Sequence, residues 1–409
     1  MNQYQIQGIA LTDLAQQFGT PLYVYDAQKI IEKISNLKNA FEGFDLKIKY
    51  ACKANTNLNI LKLMRKNSVE IDVVSPQELQ LALMAGYEGS QITFTPSGVS
   101  FDEIELAVSH GAKINLDNLD VLELFGQAYG NTKPCLIRIK PHVFGGGNAK
   151  INTAQPDSKF GISVYQADEI LEIVNKYNIK VIGLHQHTGS DIKEAESFTK
   201  AATAIYDLAL RFKDLQIIDL GGGFKVAYKD GDITTDMQDL GKVLGQKHLD
   251  FCRKYGKHIQ LWFEPGKYLV SESGTFLTTV NVVKNDPIKT FVGINSGLNH
   301  LIRPMFYDAF HYIYNASNQD DRVQKMYNVV GYICETDTFG TDRDLNEVKK
   351  GDIIAMKNAG AYCFSMASQY NSRFKPAEVM MLDGKAHLIR QRETFEDILK
   401  NTVEIEALS

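Results

Sequence analysis

The chain has 409 residues, of which 44% are hydrophobic and 23% are charged, a composition typical of a globular protein with one large barrel or two domains. A formal net charge of -5, no apolar run near the ~20 residues that span a bilayer and no basic-then-apolar start argue against nucleic-acid, membrane and secretory roles. The five cysteines are widely spaced and include no CxxC pair, so we expect reduced thiols in the cytoplasm, no disulfide framework and no metal site.

Between residues 45 and 270, short β-rich runs alternate with stretches of helical periodicity. The strand candidates are, in order, "LKIKYA", "VEIDVVS", "QITFTP", "AKINLD", "CLIRIK", "IKVIGLH", "QIIDLGG" and "IQLWFEP". Helical segments such as "PQELQLALMAG" and "FDEIELAVSHG" lie between them and end in glycine, as many helices do. Eight strands alternating with helices predict a TIM-like (β/α)8 barrel, which we assign to residues 28–272. A doubly wound open sheet is the alternative, because periodicity alone does not show closure.

Residues 273–409 have a different pattern, with turn-linked strands and few helices. The strand candidates here are "TFLTTVNVVKN", "YNVVGYICE", "GDIIAMKNAG" and "EVMMLDGKAHLIRQ". They predict a mainly β C-terminal domain. The N-terminal stretch "TPLYVYD" is also typical of a strand, and we expect residues 1–27 to join that domain.

Lys53 lies where the first predicted strand ends, within "YACKANTN". A lysine at such a place is usually a solvated loop residue. In a pocket of low dielectric, however, its amine becomes a nucleophile or a Schiff-base partner. The active site of a (β/α)8 barrel lies at the carboxyl ends of its strands, so the position of Lys53 makes it a candidate for that role.

Three loops at the same predicted rim carry histidine, glycine and glutamate. They are "HQHTGS" after the sixth strand, "DLGGGF" after the seventh and "EPGKYLV" after the eighth. Each motif alone is a weak signal, since an isolated histidine is often a core residue and a glycine run is often a turn. Together they predict a phosphate cradle of backbone N–H groups. A phosphate held opposite a strand-end lysine describes a pyridoxal phosphate site.

These motifs resemble those of the alanine-racemase-like class of pyridoxal phosphate enzymes and, within it, the diaminopimelate decarboxylases. The resemblance covers nearly the whole chain, and its longest motifs are "LIRPMFYDAFH" and "GAYCFSMASQYNSRFKPAEV". It implies pyridoxal 5'-phosphate-dependent decarboxylation of meso-2,6-diaminoheptanedioate to L-lysine and CO2, the last step of lysine biosynthesis. It also implies a homodimer with shared active sites. A related decarboxylase of ornithine, arginine or a carboxylated polyamine is one alternative, and a non-catalytic relative that kept the barrel is another.

The resemblance also implies roles for individual residues. The cofactor would be bound by Lys53, His187, Ser190, Gly223, Glu264, Pro265, Gly266, Lys267 and Tyr362. The substrate would be bound by Lys267, Arg303, Tyr307, Glu335 and Tyr362. Cys334 is the expected catalytic acid after CO2 leaves, and Lys53 is the competing acid. A buried, inert thiol is the alternative interpretation of Cys334.

Glu264 bears on the type of reaction. A carboxylate against the pyridine nitrogen keeps that nitrogen protonated, which makes the ring a strong electron acceptor. By the same resemblance, racemases of this class have an arginine there, which leaves the nitrogen neutral, so Glu264 favours decarboxylation. A glutamate that only caps a turn before Pro265 is the alternative.

The chain departs from the family pattern at two places. Position 267 is lysine where the family usually has an arginine that grips the distal carboxylate of the substrate. A lysine offers a single point charge instead of a two-pronged match. "TDT" follows Cys334 and Glu335 where the family more often has Ser-Gly-Asp. We expect both departures to affect substrate range more than reaction type.

Overall fold

The computed structural model describes residues 4–142, 158–320 and 322–408. The chain forms two compact units. The barrel unit comprises Ile31–Ala227 and Asp232–Leu269, and the β unit comprises Met1–Ile30, Tyr228–Gly231 and Val270–Ser409. Each unit has its own sheet and is described separately.

The first elements in chain order precede the barrel. They are strands β1 (Gln5–Ile6) and β2 (Ile9–Ala10), helix α1 (Leu11–Phe18), strand β3 (Leu22–Asp26) and helix α2 (Ala27–Ala40). The barrel region then contains nine strands among the described residues: β4 (Leu46–Ala51), β5 (Glu70–Val73), β6 (Ile92–Phe94), β7 (Lys113–Leu116), β8 (Pro134–Lys140), β9 (Ile162–Ser163), β10 (Lys180–His185), β11 (Ile217–Asp219) and β12 (Gln260–Phe263). Its helices are α3 (Leu58–Lys66), α4 (Pro76–Met84), α5 (Phe101–Ser109), α6 (Leu119–Tyr129), α7 (Ala167–Tyr177), α8 (Ala195–Ala209), α9 (Met237–Tyr255) and α10 (Lys267–Val270).

Eight of these strands close into a parallel barrel. Their order is β4-β5-β6-β7-β8-β10-β11-β12, and β12 pairs in turn with β4. The short strand β9 pairs only with β8. The predicted TIM-like (β/α)8 barrel is therefore confirmed, and the alternative of an open sheet is wrong. The strands are buried almost throughout, as expected when helices cover the outside and side chains fill the inside.

Several barrel helices begin at a short polar residue that directly follows a strand or loop. Ser75 precedes α4, and its hydroxyl oxygen accepts a hydrogen bond from the backbone N–H of Glu78 at 3.2 Å. Asn118 precedes α6 and accepts from the N–H of Val121 at 2.8 Å. Such caps satisfy backbone donors that the first helical turn leaves unpaired. They fix where each helix starts relative to the preceding strand.

The β unit is built on a second sheet. Its further strands are β13 (Gly274–Asn285), β14 (Thr290–Ile294), β15 (Ile313–Asn315), β16 (Gln324–Val330), β17 (Thr338–Asn346), β18 (Ile353–Lys357), β19 (Ala377–Leu382) and β20 (Lys385–Arg390), with helices α11 (Arg303–Tyr307) and α12 (Phe395–Leu399). The main path runs β17-β16-β14-β13-β3-β19-β20, and β18 pairs with β13 and β15. The N-terminal strand β3 thus lies inside this sheet, antiparallel to β13 and parallel to β19. The predicted β-rich C-terminal region is confirmed.

No helix among the described residues combines the length and the apolar character needed to cross a membrane.

Gly241 in α9 lies against the end of α2. A Cβ atom at this position would be 1.8 Å from the carbonyl oxygen of Ala40. In an exposed helix, replacing glycine by alanine stabilises by about 1 kcal/mol. Here the added carbon must push the two helices apart, and such overpacking costs about 1–3 kcal/mol. We therefore expect Gly241→Ala to lower the melting temperature by several degrees.

The matched control for this substitution is Lys242→Ala, at the next and exposed position of the same helix. It should leave the melting temperature nearly unchanged. A melting temperature of Gly241→Ala equal to or above that of the unmodified protein would contradict the close approach of α2 and α9.

Candidate active site

Several buried polar residues of the barrel unit lie at the carboxyl ends of its strands. A cavity of about 300 Å³ lies there, and its lining includes Lys53, Asp72, Arg138, His185, His187 and Glu264. These residues come from or directly follow five different strands. Because all eight barrel strands are parallel, their carboxyl ends meet at one rim, where sites of this fold are found.

Lys53 lies in a single helical turn, Cys52–Ala54, directly after β4. Its two neighbours in that turn, Cys52 and Ala54, are buried, while 43% of the Lys53 side chain is exposed. Its Nζ lies 4.0 Å from Oδ2 of Asp72. The buried neighbours anchor the turn, and this fixes the backbone position from which the side chain of Lys53 reaches the cavity.

Glu264 follows β12 and is buried. The Nε2 atom of His185 lies 2.9 Å from its Oε2. Burial lowers the pKa of His185, so the ring is neutral at neutral pH and donates one N–H to the carboxylate. Burial alone would raise the pKa of Glu264, but the contact with His185 and the nearby Lys53 ammonium outweigh it and hold this pKa well below the ordinary range. Glu264 is therefore an anion at neutral pH.

Asp219 and Asp72 behave in the opposite way. Burial, reinforced by the negative charge of Glu264, raises the pKa of Asp219 well above its ordinary value. The same two causes raise the pKa of Asp72 to about 8. Both acids therefore hold protons at neutral pH. Oδ2 of Asp219 and Oε1 of Glu264 are both buried and have no other hydrogen-bond partner among the described residues. The proton of Asp219 can therefore lie between these two carboxyl groups.

His185, Asp219 and Glu264 bring their ligand atoms within 4.8 Å of one another. That spacing is compatible with a metal ion. However, the neutral His185 already donates to Glu264, and Asp219 holds a proton. The arrangement thus favours proton sharing within the cluster.

The glycine run after β11 allows three loops to approach closely. A Cβ atom on Gly222 would lie 2.4 Å from the carbonyl oxygen of Glu264, and one on Gly223 would lie 2.2 Å from that of Gly189. Gly223 also has a φ of +102°, a conformation that other residues rarely adopt. The loops after β10, β11 and β12 can approach this closely only because side chains are missing here.

His187 and Ser190 belong to the loop after β10. The backbone N–H of Gly222 donates to Nδ1 of His187 at 3.2 Å, so the glycine loop orients this ring. Burial, followed by the charge of Lys53, lowers the pKa of His187 well below its ordinary value, so the ring is neutral. Ser190 is half-buried in the same loop.

Pro265, Gly266 and Lys267 form the third loop. The carbonyl oxygen of Pro265 accepts a hydrogen bond from the N–H of Ala51 at 3.3 Å, and a Cβ on Gly266 would lie 3.1 Å from the carbonyl oxygen of Ala51. This loop is therefore in contact with the end of β4, two residues before Lys53. The ammonium of Lys267 lies 2.6 Å from Oδ1 of Asp191.

Three of the remaining predicted residues lie in the β unit: Arg303 and Tyr307 at the two ends of α11, and Tyr362 after β18. Arg303 is buried, and its Nη2 donates to the hydroxyl of Tyr228 at 3.2 Å. Tyr307 is the last residue of α11 and is half-buried. Tyr362 has a φ of +56°, which is unusual for a bulky residue and is a form of backbone strain found at functional sites.

Cys334 and Glu335 are exposed in the loop between β16 and β17. The hydroxyl of Tyr370 donates to Oε1 of Glu335 at 2.8 Å. The side-chain amide of Asn371 donates to the sulfur of Cys334 at 3.5 Å. The thiol of Cys334 is therefore not buried, in contrast to the alternative interpretation.

Some residues at the rim were not among the predicted site residues. Asp72, Asp219 and Arg138 are buried next to Glu264, and Asp191 contacts Lys267. A charged residue inside an otherwise apolar strand, as in "EIDVV", "IIDLGG" and "CLIRIK", is the signal that indicates the first three. Asp191 lies in a polar loop, and no sequence pattern distinguishes it.

Comparisons with known proteins were made for the whole chain. Residues 27–271 match the family model described as pyridoxal-dependent decarboxylase, pyridoxal binding domain. The chain is 35% identical over 404 residues to a diaminopimelate decarboxylase of Methanothermobacter thermautotrophicus, covering 97% of this chain and 94% of that protein.

Solved structures give the same result. The crystal structure of diaminopimelate decarboxylase from Helicobacter pylori complexed with L-lysine is similar with a TM-score of 0.87 and 34% identity, covering 95% of this chain and 98% of that one. The structure of the M. jannaschii diaminopimelate decarboxylase in co-complex with L-lysine is similar with a TM-score of 0.90 and 29% identity, covering 98% and 96%. These matches confirm, over nearly the whole chain, the resemblance that the motifs indicate.

The raised pKa of Asp72 predicts how stability depends on pH. The folded protein keeps this proton up to about pH 8, whereas an unfolded aspartate releases it near pH 4. Between these values the folded state binds more protons, so raising the pH toward 8 removes stability, by about 1.4 kcal/mol per pH unit for one proton. We expect the melting temperature of the ligand-free protein to fall from pH 6 to pH 8.

Asp72→Asn removes this proton and should make the fall in melting temperature shallower over the same range. Groups far from Asp72 titrate equally in both proteins, so the difference between the two slopes reports Asp72 together with the acids that interact with it, Glu264 and Asp219. Equal slopes in the unmodified protein and in Asp72→Asn would show that Asp72 is ionised in the folded state.

Proposed function

Because the chain belongs to the diaminopimelate decarboxylase family of pyridoxal-dependent decarboxylases, we propose that it decarboxylates meso-2,6-diaminoheptanedioate to L-lysine and CO2, the last step of lysine biosynthesis. The observation that carries this proposal is the cavity lined by both Lys53 and Glu264. An amine and a buried anion in one cavity, beside loops that approach through glycine, are the chemical groups that such an enzyme requires.

The residues present fit pyridoxal 5'-phosphate. Lys53 offers an amine for its aldehyde, and Glu264 offers an ionised carboxylate for its ring nitrogen. The loops that meet at Gly223, where side chains are absent, offer backbone for its phosphate. When bound, this cofactor supplies a ring that accepts the electron pair left by departing CO2.

We assign the chain's own groups the following roles toward that cofactor. Glu264 would hold a proton at the ring nitrogen, and the N–H of His185 keeps Glu264 in place and ionised. His187 would pack on the ring with a neutral imidazole, whose orientation the N–H of Gly222 fixes. The further cofactor-binding residues that we propose are Ser190, Gly223, Pro265, Gly266, Lys267 and Tyr362.

The substrate carries a carboxylate and an ammonium group at its distal end, and the proposed contacts are chosen to match them. A guanidinium such as that of Arg303 suits a carboxylate, and the carboxylate of Glu335 suits an ammonium. The substrate-binding residues that we propose are Lys267, Arg303, Tyr307, Glu335 and Tyr362. Cys334 or Lys53 returns a proton to the carbon from which CO2 departs; the exposed thiol of Cys334 is accessible for this.

We further propose a cytoplasmic homodimer with shared active sites. The free cysteines support the location. The exposure of Cys334 and Glu335 supports a role in a partner chain's site. We assign the cofactor-binding domain to residues 28–272 and the second domain to 273–409 with residues 1–27; the family match to 27–271 supports that division.

Incubation with candidate amino acids tests the proposed function. Purified protein with pyridoxal phosphate should release CO2 from meso-2,6-diaminoheptanedioate and form lysine. Ornithine and lysine lack the distal carboxylate, so a cation facing that end would lose its partner, at a cost of about 2–5 kcal/mol. We expect kcat/KM for ornithine to be lower by at least ~30-fold. Comparable values for the two substrates would promote the ornithine alternative.

The same preparation tests the role of Lys53. Borohydride should attach the cofactor to a peptide that contains Lys53, and Lys53→Ala should lose both this label and the release of CO2. Lys49→Ala is the matched control, since Lys49 lies on β4, the strand that precedes Lys53, but pairs with Glu70 at 2.8 Å. A label on another lysine would refute the assignment.

The shared-site proposal predicts complementation between two inactive variants. One is Lys53→Ala, and the other carries Cys334→Ala with Glu335→Ala. If the Cys334 loop completes the partner's site, a mixed dimer has one intact site, and random exchange restores about a quarter of the activity. Activity should be measured after mixing under conditions in which subunits exchange.

The control mixes Lys53→Ala with the triple variant that combines all three substitutions. That mixture contains no intact pair and should stay inactive. Demonstrated exchange without any return of activity in the first mixture would refute the shared site.

A further inference from the structure

One acidic side chain joins the three loops at the glycine junction. Asp191 comes from the loop after β10, Lys225 from the loop after β11 and Lys267 from the loop after β12. Oδ1 of Asp191 lies 2.6 Å from Nζ of Lys267 and 3.9 Å from Nζ of Lys225. We refer to these three residues as the ion triad. Each loop thus contributes one member.

The backbone around the ion triad is held by hydrogen bonds between the same loops. The N–H of Ile192 donates to the carbonyl oxygen of Gly223 at 3.0 Å. The hydroxyl of Thr235 donates to the carbonyl oxygen of Ile192 at 2.6 Å and accepts from the N–H of Lys225 at 2.7 Å. The residues that flank Asp191 and Lys225 are therefore fixed, and the side chains of the triad meet at a defined place.

The side chains of the triad are shielded from solvent. Only 8% of Lys267, 13% of Lys225 and 21% of Asp191 is exposed. Two ammonium groups that share one carboxylate repel each other less than they would without it. The three groups together carry one net positive charge, which the carboxylate of Asp232, 3.5 Å from Nζ of Lys225, balances in the absence of a ligand. A lysine alone lacks the fork of arginine, whereas two lysines aligned by one carboxylate offer two separate donors.

We infer that Asp191 is a positioning residue for the phosphate of the cofactor, holding Lys225 and Lys267 at the glycine loops so that both ammonium groups bind the phosphate ester. This inference rests on the proposed function, because it takes pyridoxal phosphate as the ligand. It assigns a phosphate contact to Lys225 and gives Lys267 the phosphate as its main partner, ahead of the distal carboxylate of the substrate. The departure from arginine at position 267 is then compensated within the same site.

Binding of two aldehydes to the apoprotein tests the inference without any use of the decarboxylase substrate. The dissociation constants of pyridoxal 5'-phosphate and of pyridoxal, which lacks the phosphate, are measured by absorbance titration. The change in their ratio from the unmodified protein to a variant reports the phosphate contacts, because the hemiacetal that free pyridoxal forms is the same in every titration. A general loss of structure would weaken both ligands together. Asp191 has a φ of +64°, which asparagine also tolerates, so Asp191→Asn changes the charge without straining the backbone.

We expect Asp191→Asn to reduce the preference for the phosphorylated aldehyde by about tenfold or more, because charge-assisted contacts lose their alignment. Lys225→Gln should reduce it to a similar extent, and binding of pyridoxal should change less than about twofold in both variants. Lys225→Gln also decides the question if Asp191→Asn fails to fold. Asp232→Asn is the comparison variant. Its carboxylate lies 3.5 Å from Nζ of Lys225, closer than that of Asp191 at 3.9 Å, but the variant leaves the contact between Asp191 and Lys267 in place, so the preference should fall less than in Asp191→Asn.

An unchanged preference in Asp191→Asn or in Lys225→Gln overturns the inference. Tighter binding of pyridoxal phosphate to Asp191→Asn also overturns it, because Asp191 would then compete with the phosphate for the lysines. A loss in Asp232→Asn as large as in Asp191→Asn does so as well. These results leave the proposed function intact if the unmodified protein releases CO2 from meso-2,6-diaminoheptanedioate. An unmodified protein that binds neither aldehyde refutes the proposed function itself.

Discussion

The pairing between β8 and β10 closes the barrel, and the candidate site depends on the register of that pairing. It sets Arg138 opposite His185, and the next pair sets His185 opposite Asp219. Charged and polar side chains of neighbouring strands therefore lie at one level of the rim. Because side chains alternate between the two faces of a strand, a shift of one residue would turn such a side chain from the inside of the barrel to the outside. Closure and register together create the site.

The buried acids at this rim do not share the same charge state, and the difference is useful to the proposed reaction. Three ionised carboxylates in one cavity would repel a substrate that itself carries carboxylates. Burial and the charge of Glu264 keep Asp72 and Asp219 protonated. Glu264, next to the N–H of His185, stays negative. The cavity lining thus includes an ionised carboxylate, which the role proposed for Glu264 at the ring nitrogen requires, and the protonated acids limit repulsion of the substrate.

The barrel strands could be predicted because buried parallel strands give apolar runs, and "LKIKYA" coincides with β4. The pairing of distant strands leaves no local pattern, so closure could not be predicted. Lys49 and Lys53 lie on or beside the same strand, and only the structure separates them: Lys49 is fully buried against Glu70, while Lys53 borders the cavity. The contacts of Asp191 with Lys225 and Lys267 could not be predicted either, because they arise from loops that meet only in the folded barrel.

The two departures from the family pattern differ in kind. In the altered loop, Asp337 is buried, and its carboxylate accepts hydrogen bonds from the N–H groups of Leu298 and Ile333. A Cβ on Gly331 would lie 2.1 Å from this carboxylate, so the absence of a side chain at Gly331 provides the space that Asp337 occupies. Asp337 therefore anchors the inside of the loop, while Cys334 stays exposed at its tip. The change from the family pattern in this loop therefore affects a buried structural residue, Asp337, and leaves the exposed Cys334 in place. The change at position 267 is different, because it replaces the guanidinium that would contact a ligand by an ammonium group.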